Sequence, residues 1–233
     1  MLRFLGRGSA FERENNCAYF TAGDDLVLLD CPMSAFAKVK TKDLKSYRDI
    51  YVLVTHTHGD HSGGISTLID FAHFVVDKKV IVVAPSPLVE KNLRSLLTEI
   101  EGCNDDWYTL VTVDQLTTGW MGEAIATDHT DELAGRCFGY RLSINGTNVI
   151  YTGDTNTFSP FEKFMTPGTY LYTEIAAYHS DVHLYCEDMK EKVKTLVDQG
   201  VTVYLMHLDR EDIIRKTMEG TGARIAPLEE DIT

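Results

Sequence analysis

The sequence has 233 residues, of which 44% are hydrophobic and 24% are charged, as is ordinary for a globular protein. Its formal net charge of −13 opposes binding to a polyanion, so tRNA and other long nucleic acids are not expected as partners. No apolar run reaches the roughly 18–20 residues that span a bilayer, and the first residues lack the apolar core of a signal peptide, so no membrane partner is expected.

Short apolar, β-branched runs alternate with longer helical patterns along the whole chain. The predicted strands are residues 2–5, 17–21, 26–29, 50–54, 80–83, 123–126, 138–144, 148–151, 170–175 and 201–206. The predicted helices are residues 65–76, 87–100, 186–199 and 211–218. Asn145 and Gly146 are typical of a type I′ hairpin turn. Hairpins mixed with helical crossovers predict an α/β fold with mixed sheets.

Neither a repeat nor a low-complexity linker interrupts this pattern, so residues 1–233 are predicted to form a single domain. Five cysteines are scattered through the chain without any Cys-x-x-Cys pair. Their odd number and spacing argue against a disulfide framework, and we expect small buried thiols in a reduced, cytoplasmic protein.

Three of the eight histidines fall within six residues, directly after the apolar run 50–54. The segment reads Thr55-His56-Thr57-His58-Gly59-Asp60-His61. In an extended chain His56 and His58 point to the same side and can bind one ion. Asp60 and His61 follow a glycine, where the backbone can turn and aim them at a second ion. Imidazole and carboxylate groups suit zinc and similar metals, so a metal site is favoured over a merely polar loop.

The pattern His-x-His-x-Asp-His after a buried strand resembles the signature of the metallo-β-lactamase superfamily. Further segments resemble elements of that family in the same order: Leu28-Leu29-Asp30, Ala126-Thr127-Asp128-His129, Ile150-Tyr151-Thr152-Gly153-Asp154-Thr155 and Val203-Tyr204-Leu205-Met206-His207. The resemblance spans nearly the whole chain. It implies a four-layer αββα sandwich of two mixed β-sheets.

The same resemblance implies two divalent metal ions, most simply zinc, with manganese or iron as alternatives. One ion would take His56, His58 and His129, the other would take Asp60, His61 and His207, and Asp154 would bridge both. Two such ions can deprotonate a water near neutral pH, which would then attack the substrate.

Within the superfamily the chain most resembles ribonuclease Z and related phosphodiesterases. The segments that carry this likeness are Phe4-Leu5-Gly6-Arg7-Gly8-Ser9-Ala10, Phe138-Gly139-Tyr140-Arg141 and Tyr172-Thr173-Glu174-Ile175. In that subgroup a glutamate and a histidine form a pair in which the histidine protonates the leaving group. The matching residues are Glu174 and His183, with His179 as the alternative histidine. Glu174 and His183, together with the metal-ligating Asp60, are the candidate catalytic residues.

The resemblance implies a metal-dependent hydrolase that acts on a small phosphodiester. The tRNA-binding arm of the subgroup lies between the third histidine and the Gly-Asp motif, and the 25 residues from His129 to Asp154 leave no room for it. Lactone or thioester hydrolysis stays an alternative, because the fold alone does not choose a substrate. A non-catalytic scaffold is disfavoured by the complete ligand set. A di-iron oxidoreductase is disfavoured because His58 stands where those relatives carry a carboxylate. Relatives often dimerise, so a homodimer is also considered.

Overall fold

The computed structural model of the chain describes residues Met1–Ile232, which divide into two compact units. The first unit comprises Met1–Thr117 together with the C-terminal residues from Leu228, and the second comprises Thr118–Pro227. The prediction of a single domain over residues 1–233 stays a prediction.

The first unit is built on a mixed six-stranded sheet in the order β1-β2-β3-β4-β5-β6. Its strands are β1 (Arg3–Gly6), β2 (Cys17–Ala22), β3 (Asp25–Leu29), β4 (Ile50–Leu53), β5 (Val80–Ala84) and β6 (Tyr108–Thr112). The first three strands pair antiparallel, and β3 to β6 pair parallel. The central strands β3 and β4 are completely buried, which explains their nearly continuous apolar sequence.

Four helices accompany this sheet: α1 (Met33–Val39), α2 (Gly59–Ser62), α3 (Ile65–Phe71) and α4 (Pro87–Arg94). The last two continue without a break into wider π-type segments, Ala72–Val76 and Ser95–Ile100. Short 3₁₀ turns lie at Leu44–Ser46, Val113–Gln115 and Glu229–Ile232. Gly64, between α2 and α3, allows a close approach that a side chain would block, since a Cβ there would lie 2.6 Å from the Pro32 carbonyl oxygen.

The second unit contains another mixed six-stranded sheet, in the order β12-β11-β10-β9-β8-β7. Its strands are β7 (Met121–Ala126), β8 (Phe138–Ile144), β9 (Thr147–Tyr151), β10 (Tyr170–Glu174), β11 (Thr202–Met206) and β12 (Arg224–Ile225). The strands from β7 to β9 pair antiparallel, and those from β9 to β12 pair parallel. Three parallel strands therefore end at the same edge of the sheet, after residues 151, 174 and 206.

Two helices, α5 (Cys186–Asp198) and α6 (Glu211–Thr217), and two 3₁₀ turns, Asp131–Leu133 and Ser159–Phe164, complete the second unit. Val193 and Leu196 on α5 pack in one apolar cluster with Leu171 of β10 and Val203 of β11. Acidic residues occupy the first turn of α5, where their negative charge interacts favourably with the positive end of the helix dipole. The chain leaves the helix at Gly200, whose φ of 88° favours glycine.

All ten predicted strands and all four predicted helices are confirmed, with ends that differ by at most two residues when the π-type segments are counted with their helices. Positive φ values of 51° at Asn145 and 76° at Gly146 confirm the type I′ turn. Strands β6 and β12 and helices α1 and α2 were not predicted. The two mixed sheets, each flanked by helices, confirm the predicted α/β class.

Among the described residues, no helix is long and apolar enough to cross a membrane. All five cysteines are free and buried, as predicted. Burial, helped by the neighbouring Asp30 carboxylate, raises the pKa of the Cys31 thiol to about 12, which makes it a poor nucleophile at neutral pH.

Candidate metal centre

The histidine motif of the first unit begins where β4 ends and runs into helix α2. His56 and His58 lie on the extended segment before the helix, and Asp60 and His61 lie on the helix itself. The backbone turns because the His58 carbonyl accepts hydrogen bonds from the N–H groups of His61 and Ser62. Gly59 has an ordinary backbone conformation and open space around its Cα, so the turn does not depend on a glycine there.

The imidazole rings of this segment converge. Nε2 of His56 lies 2.9 Å from Nδ1 of His58, and the ring centroids of His56 and His61 are 4.1 Å apart. Oδ2 of Asp60 lies 3.3 Å from Nε2 of His61. The four side chains that the sequence predicted as ligands in this unit are thus gathered within one small volume.

Asp30 orients two of these groups from its place directly after β3. Its carboxylate accepts hydrogen bonds from the Thr55 N–H (2.7 Å) and hydroxyl (2.8 Å) and lies 2.8 Å from Nδ1 of His61. Because a carboxylate only accepts, Nδ1 of His61 carries a proton, so Nε2 is the nitrogen that could bind a metal. Burial raises the pKa of Asp30, and the contact with His61 acts in the opposite direction.

Thr55 connects Asp30 to His56 and so orients the His56 ring. Its hydroxyl proton goes to Asp30, so its oxygen can only accept from Nδ1 of His56, 3.0 Å away. Nε2 of His56 is thereby the nitrogen that could bind a metal. The sequence marked Asp30 only as a family element, and neither orienting role was predicted.

In the second unit the candidate residues lie at the edge where parallel strands end. Asp154 follows β9, Glu174 ends β10, and His207 follows β11 with a φ of 53°. His129 lies on the loop after β7. Oδ2 of Asp154 lies 3.7 Å from Nε2 of His129 and 3.5 Å from Nε2 of His207. The fold therefore brings together the three second-unit ligands that the sequence predicted.

A backbone carbonyl fixes the orientation of His129. Nδ1 of His129 lies 2.8 Å from the carbonyl oxygen of Val182, which can only accept, so Nδ1 carries the proton. Nε2, which faces Asp154, is then the nitrogen that could bind a metal. Sequence reasoning missed this contact because it joins residues 53 positions apart.

The loop between β10 and α5 places His183, and not His179, against Glu174. Nδ1 of His183 lies 3.0 Å from Oε1 of Glu174, which also accepts a hydrogen bond from the Thr155 N–H at 2.9 Å. The His183 ring is 5.0 Å from that of His129 and 5.3 Å from that of His207, between centroids. His179 is exposed and contacts the ring of Tyr185 instead.

A cavity of about 440 Å³ adjoins His129 within the second unit. Its wall is polar and acidic, and it is formed by Thr127, Asp128, His129, Thr130, Asp131, Glu132, Ala134, Asn156, Asp181 and Val182. This volume falls within the range of about 300–1,000 Å³ that is usual for small-molecule sites. The sequence did not predict this cavity, because its wall combines three loops that are distant along the chain.

Comparison with known families identifies relatives over nearly the whole chain. A family model described as anti-Pycsar protein Apyc1 matches residues 1–222. An anti-Pycsar protein Apyc1 of Bacillus phage BSP38 is 27% identical over 241 residues, covering 93% of this chain and 92% of the relative. One from Paenibacillus sp. (strain J14) is 34% identical over 173 residues, 68% of each chain. A UPF0173 metal-dependent hydrolase of Pyrococcus furiosus is 26% identical over 151 residues, covering 64% of this chain and 63% of that protein.

Solved structures that resemble the chain share its fold. The metallo-β-lactamase fold protein YhfI of Bacillus subtilis has a TM-score of 0.75 at 18% identity, covering 96% of this chain and 94% of its own. A diphosphatase of the PhnP family has a TM-score of 0.70 at 15% identity, covering 97% and 94%. The short form of human tRNase Z has a TM-score of 0.60 at 15% identity, covering 90% and 93%. The predicted metallo-β-lactamase fold is confirmed, and the chain is a metal-dependent hydrolase.

Proposed function

The chain belongs to the anti-Pycsar protein Apyc1 family, and on that premise we propose that it hydrolyses a small phosphodiester with the help of two divalent metal ions. The observation that carries this proposal is the Glu174–His183 pair, which lies beside His129 and His207 at the edge of the second sheet. An accessible imidazole that a buried carboxylate orients is suited to protonating an alkoxide leaving group. Cyclic nucleotides, the small phosphodiesters to which the family description points, are the first substrates to test.

The side chains of each unit fit metal ions by their chemistry. In the first unit, the 2.9 Å between Nε2 of His56 and Nδ1 of His58 is close to the roughly 3.3 Å expected for two nitrogens bound to one tetrahedral zinc. In the second unit, Oδ2 of Asp154 lies 3.7 Å from Nε2 of His129 and 3.5 Å from Nε2 of His207, so three donor atoms suited to a metal lie close together. Asp30 and the Val182 carbonyl hold Nδ1 of their histidine partners and leave Nε2 for a metal.

The family pattern assigns seven side chains to the proposed metal ions. One ion would be held by His56, His58 and His129, the other by Asp60, His61 and His207, and both by Asp154. Zinc suits this set of nitrogen and oxygen donors, and manganese and iron are the alternatives. When bound, the two ions would lower the pKa of a water molecule and offset the negative charge of the phosphate.

The leaving group is protonated by residues of the protein itself. Protonated His183 donates its Nε2 proton to the leaving oxygen, while Nδ1–H stays bonded to Glu174. Glu174 stabilises the imidazolium before the transfer and fixes the plane of the ring. Its own position is fixed by the Thr155 N–H.

A small substrate is also consistent with the cavity beside His129. Its acidic wall, with Asp128, Asp131 and Asp181, disfavours a chain of phosphates. The net charge of −13 acts against tRNA in the same way. A cytoplasmic location and a homodimer remain predictions.

The proposal is tested by measuring hydrolysis of bis-p-nitrophenyl phosphate, a series of cyclic nucleotides, a lactone and a thioester, with and without added zinc or manganese. Asp154→Asn is compared with Asp198→Asn, which changes an exposed carboxylate at the end of α5. We expect metal-dependent diester hydrolysis that Asp154→Asn abolishes and Asp198→Asn leaves intact. Faster turnover of the lactone or thioester than of any diester would contradict the proposal.

A further inference from the structure

We infer that Asn156 is a positioning residue that holds the loop carrying His183 in its reactive place. This inference rests on the proposed function of His183 as the general acid. The loop runs from residue 176 to residue 185, between β10 and α5, and contributes both the His183 side chain and the Val182 carbonyl that orients His129. Asn156 lies just after the Gly-Asp motif and belongs to none of the segments that resemble the family.

Asn156 connects two parts of the second unit that bear on the candidate site. Its side-chain Nδ2 donates to the carbonyl oxygen of Asp181, two residues before His183, at 2.9 Å. Its backbone N–H donates to the carbonyl oxygen of Asp128, the residue before His129, at 2.8 Å. Asn156 thus ties the loop of His183 to the segment of His129, only two residues after Asp154.

The remaining contacts of the loop explain why this tie matters. The base of the loop is closed by backbone bonds from the Ala176 N–H to the Leu184 carbonyl and from the Cys186 N–H to the Ala176 carbonyl. The Ala177 N–H is held by the Asp209 carboxylate at 2.8 Å. Between these anchors and His183, the loop is largely exposed and has little apolar packing to fix it.

The middle of the loop is therefore held by hydrogen bonds from outside it, including those of Asn156 at Asp181 and of His129 at Val182. An exposed hydrogen bond adds little to global stability, because water competes for both partners. It can still decide where a proton donor stands, and a misplacement of about 1 Å can cost about 100-fold in rate. Loss of the Asn156 amide should therefore affect proton donation by His183 much more than folding.

The test uses Asn156→Ala and the nearly isosteric Asn156→Asp, whose carboxylate cannot donate to the Asp181 carbonyl. The matched control is Asn148→Ala, which removes another amide that donates to a backbone carbonyl of the second unit, that of Phe164, at 3.1 Å. Two substrates are compared: bis-p-nitrophenyl phosphate, whose leaving group needs no proton, and a cyclic nucleotide, whose leaving alkoxide does. Metal content and amide hydrogen exchange of residues 177–183 are measured on the same samples.

Both Asn156 variants should lose about tenfold more activity on the cyclic nucleotide than on bis-p-nitrophenyl phosphate. They should exchange faster in residues 177–183 and keep their metal, whereas Asn148→Ala should leave both the activity ratio and the exchange of this loop unchanged. Equal losses on the two substrates, or unchanged exchange in the loop, would overturn the inference. If the unmodified protein hydrolyses neither diester, the proposed function fails by itself. Loop exchange then decides only whether Asn156 holds the loop: faster exchange in both Asn156 variants supports that part of the inference, and unchanged exchange rejects it.

Discussion

Oε1 of Glu174 lies 3.0 Å from Nδ1 of His183, across the loop that leads from β10 to α5. The glutamate has no exposed surface, whereas a quarter of the histidine side chain (25%) is accessible. Burial raises the pKa of Glu174, and the contact with His183 acts against that rise. The pair therefore joins a carboxylate shielded from water to an imidazole that a substrate can reach.

Replacing His183 should separate substrates by their leaving groups. We expect His183→Ala to lower turnover of an alkyl or nucleoside leaving group by about 100-fold or more, because general acid catalysis contributes that much. Release of p-nitrophenolate should fall far less. Glu174→Gln should show the same pattern more weakly, since the ring keeps a hydrogen-bond acceptor but loses the charge that favours its protonation. Equal losses on both substrates would remove His183 as the acid.

Asp30 should matter for metal binding although it is not a proposed ligand. We expect Asp30→Asn to weaken metal binding by about 10–100-fold, because the amide no longer fixes His61 with a charged acceptor. The control is Asp25→Asn, which changes another buried aspartate of the first unit that pairs with Arg48 and contacts no candidate ligand. Both variants should have a lower melting temperature, but only Asp30→Asn should bind metal more weakly in competition with a chelator. Identical metal affinities would refute the orienting role.

Removing a proposed ligand of the ion held by Asp60, His61 and His207 should leave the other ion bound. Asp60→Ala and His61→Ala should each retain about one metal equivalent per chain and lose turnover, since an activated water requires both ions in this mechanism. Metal content is measured by mass spectrometry after dialysis, and turnover on bis-p-nitrophenyl phosphate. Full activity in either variant would show that the assignment of ligands is wrong.

The C-terminal turn of the first unit should make stability depend on pH. Glu229 accepts hydrogen bonds from Lys42, at 2.7 Å, and from Tyr19. Burial acts to raise the pKa of Glu229, but these bonds outweigh it and hold the pKa below its ordinary value. The stabilisation is thus present above the ordinary glutamate pKa of about 4.3 and is lost as pH falls through the lower, folded-state value.

Glu229→Gln should therefore lower the melting temperature at neutral pH, and the gap from the unmodified protein should close in acid. Glu219→Gln, at an exposed position after α6, serves as the control and should show no such convergence. A gap that stays constant from neutral pH to about pH 3 would mean that the ionised form of Glu229 contributes nothing.

The sequence was most informative where local pattern and chemistry coincide. The apolar run of β4 and the histidines after it could be identified because a buried strand and a dense set of ligand types are both local signals. Helix α1 was missed because it begins after Pro32 and has only seven residues, and α2 because its four residues read as part of the motif. Strand β6 was missed since it is only partly buried and lacks a clear alternation of apolar and polar residues.

The groups that orient the candidate ligands could not be predicted, because they depend on strand register and loop packing. Parallel pairing of Leu29 with Leu53 brings Asp30 alongside Thr55, and no spacing along the chain indicates this. The choice between His183 and His179 likewise required the path of the loop, which returns to Glu174 only at His183. Residue types and motifs indicated the candidate chemistry, and the tertiary structure showed the partners of each candidate group.

Activation of the attacking water by two metal ions can be tested by titrating the metal-free protein with zinc or manganese. Bound metal and the initial rate on bis-p-nitrophenyl phosphate are followed together. We expect little turnover at about one equivalent per chain and a rise in rate as the second equivalent binds, with saturation near about two. Full turnover at one equivalent, or turnover that survives complete removal of metal by a chelator, would contradict it.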